Sequence, residues 1–201
     1  MLVKIENLKL TINNKLLFEN LNFELKENSV IGISGPTGTG KTSILNYISG
    51  ISFYKQLLFE GKKEEAPNLK ISYVFQEPRL LNNLTVLENV MLPLQNIYSP
   101  SEAKLKAESV LKELFLEDKI NLFPNELSGG EKQRVSIARA LAYPGKVLLF
   151  DEPFSAQDEA KRAAIISYIK KIQLQENRGI ILVSHYKQDF IEFSSLFTIE
   201  L

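Results

Sequence analysis

The junction near residue 35 restricts the fold of this chain more than any other feature. Val30-Ile31-Gly32-Ile33-Ser34 is apolar without alternation and runs directly into Gly35-Pro36-Thr37-Gly38-Thr39-Gly40-Lys41-Thr42. A strand with no wet face has to be covered on both sides, as the inner strands of parallel sheets are. Val147-Leu148-Leu149-Phe150 and Ile180-Ile181-Leu182-Val183 have the same character. Each gives way to a polar or Gly-rich segment and then to a helical pattern, which predicts an α/β fold with a mostly parallel sheet.

The loop after the first of these strands fits G-x-x-x-x-G-K-[ST]. Glycines at those positions let backbone N–H groups converge on phosphate oxygens, and the following helix presents its positive N-terminus. Lys41 supplies a charge for the outer phosphates, the Thr42 hydroxyl suits Mg²⁺, and Ser43 continues the cradle. By composition alone the pattern arises in roughly 1% of chains this size, and a strand before it with a helix after it lowers that further. The second apolar run ends in Asp151-Glu152. Ligands of open α/β sheets bind beyond the carboxyl ends of the strands, so these acids are expected beside the phosphates. There Asp151 suits a hydrated Mg²⁺ and Glu152 an attacking water.

The flanking segments differ. Val3, Ile5, Leu8, Leu10 and Ile12, then Leu21, Phe23 and Leu25, alternate with polar residues, as antiparallel strands with one wet face do. Asn13-Asn14-Lys15 reads as their turn. From about Thr85 to Ala142 a helical block interrupts the strands. Its starts are marked by Thr85…Glu88, Ser99-Pro100-Ser101-Glu102 and Ser128-Gly129-Gly130-Glu131, each with capping-box spacing. The expected organisation is one domain over 1–201: a core with an antiparallel β subdomain over 1–84 and 143–201, and an α-helical subdomain over 85–142. Lys plus Arg and Asp plus Glu are both 24, and there is no Cys. That balance argues against a nucleic-acid partner and excludes thiolate metal sites and disulfides. The N-terminus carries charges where a secretory leader would be apolar, and no run approaches the ~20 residues of a membrane span.

The capping box explains Ser128 and Glu131 but not two glycines between them, which cost stability and provide only close backbone approach. A Ser hydroxyl and bare amides at a helix N-terminus form a second phosphate-binding face. Either two nucleotides bind, or two chains share one.

These residues together resemble an ATP-binding cassette (ABC) transporter ATPase subunit, nearly end to end. Gly35–Thr42 matches the family's Walker A loop, Val147–Asp151 its Walker B strand and Leu127–Gln133 its signature. Gln76, Ser155–Asp158 and His185 fall at its Q-loop, D-loop and switch histidine. The resemblance implies a P-loop NTPase core and a head-to-tail dimer, with each ATP between Gly35–Ser43 of one chain and Ser128, Gly129, Gly130 and Glu131 of the other. Glu152 would be the catalytic base, His185 would meet the γ-phosphate, and Thr42, Gln76 and Asp151 would surround Mg²⁺. Two positions depart from the pattern: Ile12 stands where an aromatic usually stacks on adenine, and Gln157 where the D-loop usually has Leu. The segment from Ser49 to Gln76 is short, and no C-terminal regulatory extension is expected beyond Leu201.

By the same resemblance the subunit would need separate transmembrane permease subunits and, through them, a periplasmic or lipid-anchored solute-binding protein. It would act at the cytoplasmic face of the inner membrane. Glu77-Pro78-Arg79-Leu80-Leu81 and Asp151-Glu152-Pro153-Phe154-Ser155 are worded as in bacterial importers, nearest the nitrate/sulfonate/taurine and thiamine-precursor groups. Thr85–Leu94 resembles instead the lipoprotein-release and cell-division ATPases, the alternative reading. Pro78–Leu94 carries more apolar residues than a short helix buries on one face, so part of it is expected to dock the permease.

Overall fold

The computed structural model describes residues 1–51, 57–186, 188–191, 193 and 196–201. Two sheets organise it. Strands β1 (Val3–Ile12), β2 (Lys15–Leu25) and β4 (Leu57–Glu65) form an antiparallel sheet in the order β2-β1-β4. Strands β3 (Val30–Ser34), β5 (Ile71–Val74), β6 (Val147–Asp151), β7 (Gly179–Val183) and β8 (Leu196–Glu200) form a parallel sheet in the order β5-β6-β7-β3-β8.

The alternation read in β1 and β2 follows from one-sided burial. Val3, Ile5, Leu8 and Leu10 are buried, as are Leu21, Phe23 and Leu25 across the pairing. The turn between them is made by Asn13 and Asn14 at φ 48° and 64°, a left-handed pair that Asn tolerates and that matches hairpin twist. The parallel strands do not alternate because both of their faces are covered. Along β6, Val147 and Leu149 belong to a core shared with β1, β2 and Ile44, Leu45 and Ile48. Leu148 and Phe150 belong to a second core, shared with the helical layer.

Helices α1 (Lys41–Ser49), α2 (Val86–Met91), α3 (Pro100–Glu113), α4 (Gly129–Ala142), α5 (Glu159–Glu176) and α6 (Gln188–Ile191) complete the fold. Capping boxes form at Thr85/Glu88, Ser99/Glu102 and Ser128/Glu131. The block from Thr85 to Ala142 is not continuous helix: short 3₁₀ turns at Leu92–Leu94, Glu117–Lys119 and Pro124–Glu126 separate its helices. The sequence reading did not find β4, β5 or β8. β4 reads Leu57-Leu58-Phe59-Glu60-Gly61-Lys62-Lys63-Glu64-Glu65, too charged for a strand signal, because it pairs at the sheet edge with only β1 beside it. In the short segment from Ser49 to Gln76, residues 52–56 lie outside the described residues. No helix among the described residues is long and apolar enough to cross a membrane.

Candidate nucleotide site

Helix α1 begins without a side-chain cap. Its N-cap is Gly40 at φ 103°, and no acidic residue lies in its first turn. The leading N–H groups of the helix are therefore left for a ligand, and an anion suits the positive end. Gly40 is confined as well as twisted: a Cβ there would stand 2.9 Å from Leu10 and 3.1 Å from Phe18. Gly38, at φ 86°, has nothing within 4 Å of that position and leaves the loop open to approach. Thr39 donates its hydroxyl to the Pro36 carbonyl at 3.0 Å. The Lys41 ammonium donates to the carbonyls of Gly35 (2.8 Å) and Pro36 (2.7 Å), folded over the loop. Burial lowers its pKa, against the pull of Glu152 and Asp151.

The loop opens on a cleft of about 260 Å³ lined by Ile12, Leu17, Thr37, Gly38, Gly40, Lys41, Thr42, Ser43, Gln76, Asp151, Glu152, Val183 and His185. Thr42 donates to Asp151 Oδ2 at 2.8 Å. Asp151 is 2% exposed, and its Oδ1 has no hydrogen-bond partner among the described residues. Burial raises its pKa, against the Thr42 hydrogen bond and the charges of Lys41 and His185. A buried carboxylate oxygen without a partner, beside a hydroxyl and the Gln76 amide, is a set of hard oxygen donors that fits Mg²⁺. Among the described residues no group of three His, Cys, Asp or Glu forms a metal cage, and waters with phosphate oxygens would complete the shell of a Mg²⁺ held there.

Glu152 leaves β6 at φ 48°, a left-handed conformation that a non-glycine residue adopts at a cost. Its N–H is held by the Val183 carbonyl at 3.0 Å, which ties the turn to the end of β7. His185 Nε2 stands 3.0 Å from Glu152 Oε1. Burial raises the Glu152 pKa, and His185 opposes the rise. The loop carrying His185 is itself fixed: Tyr186 N–H donates to Ser184 Oγ at 3.0 Å, and Ser184 bonds the buried Asp189, which also pairs with Arg162.

The structure thus gathers Ile12, Thr37, Gly38, Gly40, Lys41, Thr42, Ser43, Gln76, Asp151, Glu152 and His185 around one cleft. Gly35, Pro36 and Thr39 shape the loop from behind. Leu17, which lines the cleft with Ile12, was missed; its only sequence signal is a place near the start of β2, two residues beyond the Lys15 that pairs with Ile12. Ser128, Gly129, Gly130 and Glu131 lie outside the cleft. Ser128 and Gly129 are exposed, and Ser128 donates both its N–H and its hydroxyl to Glu131 Oε2 at 2.8 Å. Those bonds hold the Glu131 pKa down. A Cβ on Gly129 would meet nothing, whereas one on Gly130 would lie 2.7 Å from the Ala156 carbonyl. The second glycine therefore has a reason within its own chain.

A parallel sheet whose strand tips carry a bare helix N-terminus, two carboxylates and a histidine defines a P-loop nucleotide-binding fold. Residues 18–155 match the ABC transporter family, and the chain belongs to that family. It is similar to the sulfate/thiosulfate import ATP-binding protein CysA of Mannheimia succiniciproducens, 34% identical over 204 residues covering 96% of this chain and 57% of that protein. It is also similar to the methionine import ATP-binding protein MetN of Legionella pneumophila, 36% identical over 195 residues, covering 92% and 57%. The chain thus spans little more than half the length of these curated relatives. Among solved structures, the dimeric structure of MJ0796, a bacterial ABC transporter cassette, superposes with a TM-score of 0.85 at 30% identity, covering 99% of this chain and 94% of that one. A post-hydrolysis dimeric state of MJ0796 bound to ADP and Pi matches with a TM-score of 0.85 over 100% and 96%. The α/β architecture expected from the sequence is that of these cassettes.

Proposed function

We propose that the chain is the ATP-hydrolysing subunit of a bacterial ABC transporter, energising the import of a small solute through separate membrane permease subunits. The observation that carries this reading is the meeting of Lys41, Asp151, Glu152 and His185 in one cleft at the mouth of an uncapped helix. ATP phosphates lie on the N–H groups of the Gly35–Ser43 loop, and Lys41 exchanges its loop carbonyls for phosphate oxygens. Thr42, Gln76 and Asp151 hold Mg²⁺, which when bound neutralises phosphate charge. Glu152 accepts the proton of the attacking water; burial has already raised its basicity. His185 bridges Glu152 and the γ-phosphate. Phosphoryl transfer of this kind is mostly positioning and charge neutralisation.

Because Ser128 and Gly129 stand exposed and the turn Ser128–Glu131 lies outside the cleft, it serves the ATP of a second copy in a head-to-tail dimer, as the dimeric cassettes support. The helical unit over 85–142 carries this turn, and the core over 1–84 and 143–201 carries the cleft. Within Pro78–Leu94, Val86, Val90 and Leu94 are fully buried, while Leu81 and Leu92 remain 43% and 40% exposed. We assign that exposed pair to the permease contact, which puts the subunit peripherally at the cytoplasmic face of the inner membrane. A periplasmic or lipid-anchored solute-binding protein would act through the permease. The relatives' names favour import over the lipoprotein-release or cell-division reading. Assignment to the nitrate/sulfonate/taurine or thiamine-precursor group rests on residues 77–81 and 151–155 alone.

The test is Glu152→Gln. Turnover should fall at least about a hundredfold, the scale of a general base, while ATP binding persists and an ATP-bound dimer accumulates on size exclusion. Turnover kept at about a tenth of wild type or better would remove Glu152 as the principal base.

A further inference from the structure

Gln157, which departs from the family's usual residue, is not a solvated substitute. It lies partly buried between two elements of its own chain, using both ends of its amide. Arg134 Nη1 donates to Gln157 Oε1 at 2.9 Å, and Gln157 Nε2 donates to the Gly130 carbonyl at 2.9 Å. Both partners belong to the first turns of α4. Arg134 is 7% exposed, and its Nε has no hydrogen-bond partner among the described residues. An apolar residue at 157 would leave this buried guanidinium short of an acceptor, at the cost of an unsatisfied charged group. The closeness of the two backbones, with Ala156 O against Gly130, keeps the amide within reach.

The other end of the contact leads to the chemistry in a few tight steps. Gln157 N–H donates to the Phe154 carbonyl at 3.1 Å, and Ser155 Oγ to the Glu152 carbonyl at 3.3 Å. Asp158 caps α5 through the Lys161 N–H at 2.9 Å. The segment from Glu152 to Asp158 is therefore bonded within itself, and a displacement at Gln157 cannot be absorbed by slack chain.

We propose that Gln157 is a positioning residue whose amide fastens the loop leaving Glu152 to the first turn of α4, so that pressure from a second copy on Ser128–Glu131 reaches Glu152 directly. It rests on the functional reading above, and it goes beyond it by giving the chain its own internal connection between the two halves of the shared site. The path does not pass through the sheet or the helical core.

The experiment compares the full chain with Gln157→Met, which keeps length and removes the amide, and with Gln157→Leu as a second variant should the first fold poorly. In amide hydrogen exchange without nucleotide, segments 128–132 and 153–158 should exchange faster in the variants, while β1 and β2 stay unchanged. In steady-state turnover kcat should fall about tenfold with the KM for ATP within about twofold, a split that general destabilisation does not produce. Arg134→Met should lower kcat by a similar factor, and the double variant should be no worse than either single one, as groups sharing one interaction behave. Unchanged exchange at 153–158 overturns the proposal, as does faster exchange with kcat within about twofold of wild type or full additivity of the two substitutions. A wild-type chain that binds ATP without turning it over defeats the functional reading instead. The fastening of residues 153–158 to 128–132 is then decided by exchange alone.

Discussion

Helices α1 and α4 both begin in glycine-rich turns, yet they are finished in opposite ways. At α1 the cap is Gly40, with no side-chain hydrogen bond and no acid in the first turn. At α4 Ser128 and Glu131 close a complete capping box. The first terminus has no side-chain partner for its donors and suits an anionic ligand. The second pairs the N–H groups of Ser128 and Glu131 within its own turn. The difference separates a site built to be filled from a surface built to be presented. It also assigns opposite electrostatics to their carboxylates: burial raises those of Asp151 and Glu152, while hydrogen bonds from Ser128 lower that of Glu131.

The strongest way to break this comparison is Ser128→Arg. If α4 serves only another chain's nucleotide, ATP affinity of the isolated chain stays near wild type while ATP-driven dimerisation and hydrolysis disappear. Loss of monomer affinity by the same factor, read by equilibrium titration, would mean that α4 touches nucleotide within its own chain.

A smaller effect comes from Asp151→Asn. With its pKa raised on folding, Asp151 in the native nucleotide-free chain keeps a proton that the unfolded chain has already released. Stability therefore falls as pH rises from the ordinary carboxylate value through the raised one. Asn removes that loss and keeps an acceptor for Thr42, so the nucleotide-free variant should be more stable than the parent above the ordinary carboxylate value, the gain shrinking in acid. Denaturant melts across pH, with nucleotide absent, read this out. A destabilised variant at neutral pH would contradict it.

The smallest expected effect sharpens the other side. Glu131→Ala opens half of the capping box and should cost about 0.5 kcal/mol. The sign of its pH dependence is opposite: with a lowered folded pKa, what Glu131 contributes is present above the ordinary value and is lost as pH falls through the lowered one. The same denaturant melts check both, and equal slopes for the two variants would erase the contrast.

Much of this was legible in the chain because it depends on local backbone requirements. Gly38 and Gly40 need left-handed angles wherever they fold, Ser128 and Glu131 need only each other, and β3, β6 and β7 announce two-sided burial by their lack of alternation. What escaped depends on partners distant in sequence. Leu17 reaches the cleft only because β2 pairs with β1. β4 holds its place through β1 despite its charges. Glu152, at its strained angle, gives its N–H to the Val183 carbonyl, thirty-one positions along the chain. Gln157 could be seen as a departure from a pattern, but its value as a two-ended amide depends on where α4 lies.

Strand β6 is a party wall. Val147 and Leu149 finish one room, Leu148 and Phe150 the other, and the wall ends in the two acids. Lineages could therefore refit the helical room for a new neighbour by changing Leu148, Phe150 and what they touch, leaving the nucleotide room furnished as before. The converse also holds: a change at Leu149 is paid for on the side of α1 and the phosphate loop, where far less latitude exists.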